Sequence, residues 1–250
     1  MPRFVPFRLA AACVPALTLM LLLTATAVAK GPVAELRVVD GAGHALSEGP
    51  LGLAGSTSVK ASPQATCFGA GSGGSGKKVS VKTATALGML MRAAEFRAAL
   101  KPLLITDHFV AEFGLGLCGV GGVKATKTNS WFVKVNHKVP SVGGERVKVH
   151  TGDEVLWAYG AYPYPDELVL QAPGHVRADE SFAVRVFAYD EKGKKTPASG
   201  VAVSGASGPT DQAGRATVTL AAPTSLVARG AGDIPSARVP ICVGGRCPRG

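Results

Sequence analysis

"SWFVKVNHKVPSVGGERVKVHTGDEVLWAYG", residues 130–160, decides the fold. Both tryptophans of the chain, Trp131 and Trp157, lie near its ends. Trp131, Val133 and Val135 point one way, and Phe132, Lys134 and Asn136 point the other. That is the period of two of a β-strand. "SVGGE" supplies a turn, and "RVKVH" reads as a further strand. "TGD" turns the chain again, and "EVLWAYG" closes a sheet.

Working outward, the chain before this stretch predicts more strands and one helix. "VAELRVVD" alternates, and "LGLAGSTSVKAS" reads as a second strand beyond the turn-rich "GAGHALSEGP". "CFGAGSGGSGKK" is a glycine-serine loop, flexible by composition. In "VKTATALGMLMRAAEFRAALKP", Leu87, Leu90, Met91, Ala94 and Ala98 recur at helical spacing, with Thr83 or Thr85 as cap and Pro102 as stop. In "DHFVAEFG", Phe109, Ala111 and Phe113 alternate as in a strand. Beyond residue 160, Pro163 and Pro165 stiffen a connection and place a boundary at about Tyr162–Pro165. The remainder offers short strand candidates, "ELVLQAP", "SFAVRVFAYD", "GVAVSG", "RATVTL", "SLVARG" and "ARVPICV", separated by Gly, Pro, Asp and Lys clusters.

The first 29 residues read as an export signal. Arg3 and Arg8 precede an apolar run, and Ala27-Val28-Ala29 suits a signal peptidase. The run is shorter than the roughly 20 residues of a spanning helix, so no membrane span is expected after cleavage. Four cysteines follow the leader: Cys67, Cys118, Cys242 and Cys247. An even count in an exported chain reads as disulfides. Of three pairings, the short glycine loop of "CVGGRC" favours Cys242–Cys247, which leaves Cys67–Cys118. Without C-x-x-C pairs or spaced histidines, no metal is expected. The formal charge of +10 favours polyanions. Export directs that attraction to anionic envelope polymers or lipid headgroups and away from nucleic acid.

Two resemblances emerge. "TCFGAGSGGSG", "TATALGMLMRAA", "GLGLCGVGG" and "SWFVKVNHKVPSVGGERVKVHTGDEVLWAY", in this order, resemble a bacterial domain family of uncharacterised function. That family is allied to the C-terminal domain of transcobalamin and intrinsic factor. The resemblance implies a β-grasp-like domain over 30–162. "SGVAVSGASGPTDQAGRATVTL" is similar to bacterial immunoglobulin-like modules, with Asp211 and Gly214 at the turn, and implies a β-sandwich over 166–250. The expected fold class is therefore an α+β β-grasp-like domain followed by an all-β immunoglobulin-like sandwich.

Catalytic motifs are absent. "GSGGSGKK" approaches a phosphate loop at Gly71, Gly76 and Lys77, but Lys78 stands where Ser or Thr should hold magnesium, and a strand follows. Asp107 and His108 are neighbours on an expected strand and point to opposite faces. Asp153 of the paired carboxylates Asp153 and Glu154 reads as a turn cap. Trp131 and Trp157 read as core. The candidate ligand-binding residues are Phe132, Asn136, Tyr159 and Tyr162, whose ring faces and amide suit a rim. The expectation is a secreted, non-enzymatic binding protein without cofactor, whose partner is a small molecule or an envelope protein or polyanion. Cobalamin is one ligand the resemblance suggests. The alternative is a structural envelope spacer or adhesion protein, and an enzyme would need a pocket gathering His137, Asp153 and Asn136.

Overall fold

The segment that bears the tryptophans supplies two adjacent strands of a four-stranded sheet, one central and one at its edge. In the computed structural model, which describes residues 31–248, the strands are β1 (Val33–Val39), β2 (Ala45–Gly52), β3 (Ser56–Lys60) and β4 (Lys78–Lys82). Helix α1 (Ala86–Phe96) is followed by β5 (Leu104–Thr106), β6 (Gly116–Val120), β7 (Val123–Lys124), β8 (Asn129–Val135) and β9 (Glu154–Ala161). The main sheet runs β2-β1-β9-β8. β1 and β9 are parallel, with Val38 opposite Trp157, and β8 and β9 are antiparallel, with Trp131 opposite Tyr159. The expected export signal at 1–29 lies outside the described residues.

The period-two pattern buries both faces of this sheet. Leu36, Val38, Trp131, Val133, Val155 and Trp157 pack with Leu87, Leu90 and Met91 of α1. Each indole N–H is satisfied while its ring is buried: Trp157 Nε1 donates to Ala86 O and Trp131 Nε1 to Val123 O, both at 3.0 Å. On the opposite face Val39, Phe132, Leu156 and Ala158 meet Ile234, with Val139 and Tyr164 packed against them.

Thr85 caps α1, its Oγ1 accepting the Gly88 N–H at 3.1 Å. The helix ends at Phe96, before the expected stop at Pro102, because Arg97 turns to extended backbone and its guanidinium bonds Ser47 and the Glu48 carbonyl. Ala98 falls in a short 3-10 turn instead. Two expected strands do not form. "RVKVH" crosses the start of α1: Val147 O accepts the Ala86 N–H and Val149 N–H donates to Ala84 O, so its main chain is committed to the helix end. Asp107–Phe113 coils into turns, with Phe113 N–H donating back to Phe109 O.

The rest of the chain contributes β10 (Glu167–Gln171), β11 (His175–Val176), β12 (Ser181–Tyr189), β13 (Lys195–Pro197), β14 (Ala202–Val203), β15 (Arg215–Thr219), β16 (Thr224–Leu226), β17 (Ala228–Arg229) and β18 (Val239–Val243). They enclose a core of Leu168, Val184, Val186, Val218, Leu226 and Ile241.

The expected fold class is not what the chain adopts. The described residues are mostly β with one α-helix, and the strands divide among six sheets of at most four strands. An α+β β-grasp followed by a two-sheet immunoglobulin-like sandwich does not describe them. Proline and glycine explain the fragmentation after residue 166. Pro197 ends β13, and Gly200 and Gly205, both at positive φ, bracket the two-residue β14. The described residues cluster as one compact unit. Bonds within it cross the Tyr162–Pro165 connection, such as Val139 N–H to Glu191 O and Arg238 N–H to a Glu48 carboxylate oxygen. Among the described residues no helix is long and apolar enough to cross a membrane.

Candidate functional site

An apolar slot of about 750 Å³ opens between β8 and the β6 segment. Its floor is Trp131, Val133, Trp157 and Leu87; one wall is Gly114–Leu117, and the other is Val139–Gly144. Phe68, Phe109 and Phe113 stand along one rim in edge-on contact, with centroids 5.9 and 6.4 Å apart. Phe113 is 74% exposed, and Phe68 and Val142 are also exposed. Three large apolar side chains exposed around one concavity are unusual on a folded surface and mark a binding region.

The loops that build the slot are tied down. The expected disulfides are both present: Cys67–Cys118, Cα atoms 5.3 Å apart, and Cys242–Cys247. The first fixes the loop that carries Phe68 to β6. Asp107 accepts the Ser75 N–H at 2.7 Å and its hydroxyl at 2.5 Å, and Thr106 Oγ1 donates to Ser72 O. Those Ser75 bonds, above all, hold the Asp107 carboxyl below its usual range. The glycine-serine loop is thus pinned to the Thr106–Asp107 segment. Gly116 has no side chain because the Phe68 ring lies where one would be; a Cβ there would sit 2.4 Å from it. Gly144 likewise seats the Trp157 ring, 2.7 Å from a would-be Cβ.

The edge of β8 is unpaired along the slot. Asn136 N–H donates to Glu154 O, so the residues whose main chain bonds β9 are Asn136, Lys134 and Phe132, in steps of two. The main-chain groups of Val135, Val133 and Trp131 face the other side. Val135 N–H is used there by Lys138 O at 2.9 Å. Val133 and Trp131 have no strand neighbour, for β8 pairs only with β9. Across the slot, β6 is paired on both sides for most of its length: Leu117 lies opposite Ile105 of β5, Gly119 opposite Lys124 of β7, and Cys118 O accepts the Ala125 N–H at 2.8 Å.

The candidate residues from the sequence disperse. Phe132 lines the slot and stacks on Tyr164 at 4.0 Å. Asn136 lies outside it in left-handed backbone, φ 49°, donating to Asp153 Oδ1 and accepting from Glu154 N–H, each at 2.9 Å. It joins the ends of β8 and β9. Tyr159 tilts against Trp131 at 5.5 Å and donates to Lys124 O. Tyr162 is exposed, edge-on to Tyr164. His137 turns away from Asn136 and Asp153, with Nδ1 3.1 Å from Glu167 Oε2 and its ring stacked on Tyr189. None of His137, Asp153 and Asn136 lines the slot.

Sequence reasoning missed Phe68 and Val142, which sit in irregular segments without periodicity, and Phe113, whose alternation with Phe109 and Ala111 reads as a strand. It also missed a buried polar cluster beneath β8. Lys134 is wholly buried, its Nζ donating to Tyr189 O at 2.8 Å and Asp190 O at 3.2 Å. Burial lowers its pKa, and Glu167, Asp166 and Asp190 oppose the drop. Burial alone would raise the pKa of Glu167, but the His137 hydrogen bond and the Arg37 guanidinium hold it below the usual range.

A family model described as a domain of unknown function, DUF4430, matches residues 117–161. That span contains β8, β9 and the Val139–Gly144 wall, and most of β6. The match is narrower than the expected span of 30–162, and neither transcobalamin nor an immunoglobulin-like module is part of it. No curated protein and no solved structure matches the chain.

Proposed function

We propose that the chain is an exported, non-enzymatic binding protein and that the slot beside Trp131 is its ligand site. The observation that carries this is the concavity itself: an apolar floor of two indoles, a rim of exposed phenylalanines, and walls fixed by a disulfide. Both disulfides suit an oxidising compartment, in keeping with the leader pattern of 1–29. The resemblance to the transcobalamin C-terminal domain offers corrinoids as one ligand class. Titration of the purified protein with 8-anilinonaphthalene-1-sulfonate and with cyanocobalamin, read by tryptophan emission, tests the reading. A saturable response to either is expected, weakened about tenfold or more by Phe113→Ser, as for an exposed aromatic anchor. No saturable response, or one indifferent to Phe113→Ser, rules the slot out as the site.

A second reading rests on the basic charge, +10 over the whole sequence and +8 once Arg3 and Arg8 leave with the leader. It makes the protein a spacer or adhesion element held on anionic envelope polymers. Sedimentation with isolated cell walls should then be lost as salt rises.

A further inference from the structure

The slot runs along the edge of β8 that no other strand covers. β6 and β8 come close to one another yet share no ladder. On the β8 side, the N–H and C=O groups of Trp131 and Val133 face the gap. A compact ligand would satisfy the apolar floor and leave the row of main-chain donors and acceptors on β8 unmet. An extended main chain satisfies both, since its own N–H and C=O groups repeat with the same spacing.

Charge narrows the occupant further. Lys124 and Lys127 flank the slot-lining Ala125 and Thr126, Lys138 precedes the slot-lining Val139, and all three lysines are exposed. Glu112 is the acidic residue nearest in sequence to the Gly114–Leu117 wall, and Glu145, which follows Gly144, is turned across the slot against Gly114. The β8 side therefore presents cations at the margins of an apolar floor.

We infer that the slot accepts an extended peptide segment of another protein, apolar at alternate positions and acidic at its ends, as an added strand on β8 at Trp131 and Val133. This rests on reading the slot as the ligand site and names the class of its partner.

The test uses the whole exported chain and a synthetic peptide pool with Asp at both ends and Val, Ile, Leu or Phe at alternating internal positions. Two readouts are taken: tryptophan emission, and hydrogen exchange of single backbone amides by NMR. Retained peptides should slow exchange at the Trp131 and Val133 amides about tenfold or more and leave Phe132 and Lys134 unchanged. N-methylating the peptide amides that face β8 should abolish this effect, and Lys127→Glu should weaken binding of the Asp-flanked pool. If no pool member is retained while 8-anilinonaphthalene-1-sulfonate still saturates, strand addition is wrong and the slot reading stands. If neither binds, both are wrong. Retention that survives N-methylation, or that leaves Trp131 and Val133 unprotected, also overturns strand addition.

Discussion

Arg37 and Glu167, 130 residues apart in the chain, form a buried ion pair, Nη2 to Oε1 at 2.6 Å. It joins β1 to β10. Arg37 also donates to the Pro235 carbonyl, and Glu167 receives His137 on its second oxygen. Every charge in the cluster has a partner, which is the condition under which buried ions are tolerated.

Glu167→Gln leaves the Arg37 guanidinium buried without its counter-charge. The expected cost is about 3 kcal/mol. The Glu167 pKa is lowered in the folded state, so its contribution is complete above the unfolded value, about pH 4.3, and is lost as pH falls through the folded value. Urea midpoints measured between pH 3 and pH 7 should fall in acid for the wild type, and the fall should be smaller in Glu167→Gln. Parallel curves would refute the assignment.

The two disulfides should differ in worth. Cys67–Cys118 closes a separation of 51 residues, and Cys242–Cys247 one of 5. Loop entropy gives about 4 kcal/mol for the long one and about 2 kcal/mol for the short one. Thermal melts of the two double-serine variants should rank in that order, and only the first should impair binding at the slot.

Asn136→Ala removes both bonds that join β8 to the Asp153 turn and places a residue with little tolerance of left-handed backbone at φ 49°. A loss of about 1–2 kcal/mol is expected. Chemical denaturation would show it, with ligand affinity unchanged, since Asn136 lies outside the slot.

Gly144→Val drives a side chain into the Trp157 ring. Overpacking of this kind costs about 1–3 kcal/mol. Near-ultraviolet circular dichroism should report displacement of the indole before global unfolding does.

The sequence made β8, β9 and the cap of α1 readable because each obeys a local rule: a period of two, or a hydroxyl before a helical stripe. Both cysteine pairs were readable from the tight "CVGGRC" loop. What failed depended on partners distant in sequence. "RVKVH" alternates like a strand, yet its main chain bonds Ala84 and Ala86, more than sixty positions earlier. Lys134 alternates like a solvent-facing residue, yet Tyr189 and Asp190 cover it. Phe113 alternates with Phe109 and Ala111, and a turn of the chain exposes it. Alternation reports that two faces differ; it does not report what lies over each.

The parallel pairing of β1 with β9 separates what is shared with the family from what can fold. Residues 117–161 include β9 but exclude β1, α1 and the helix-capping Thr85. Excised alone, that stretch would present two bare indoles on one side and an uncovered lysine on the other. Recombinant work aimed at the matched segment therefore needs flanks from both directions, from Val33 at least through Val243, to keep the cores that cover it.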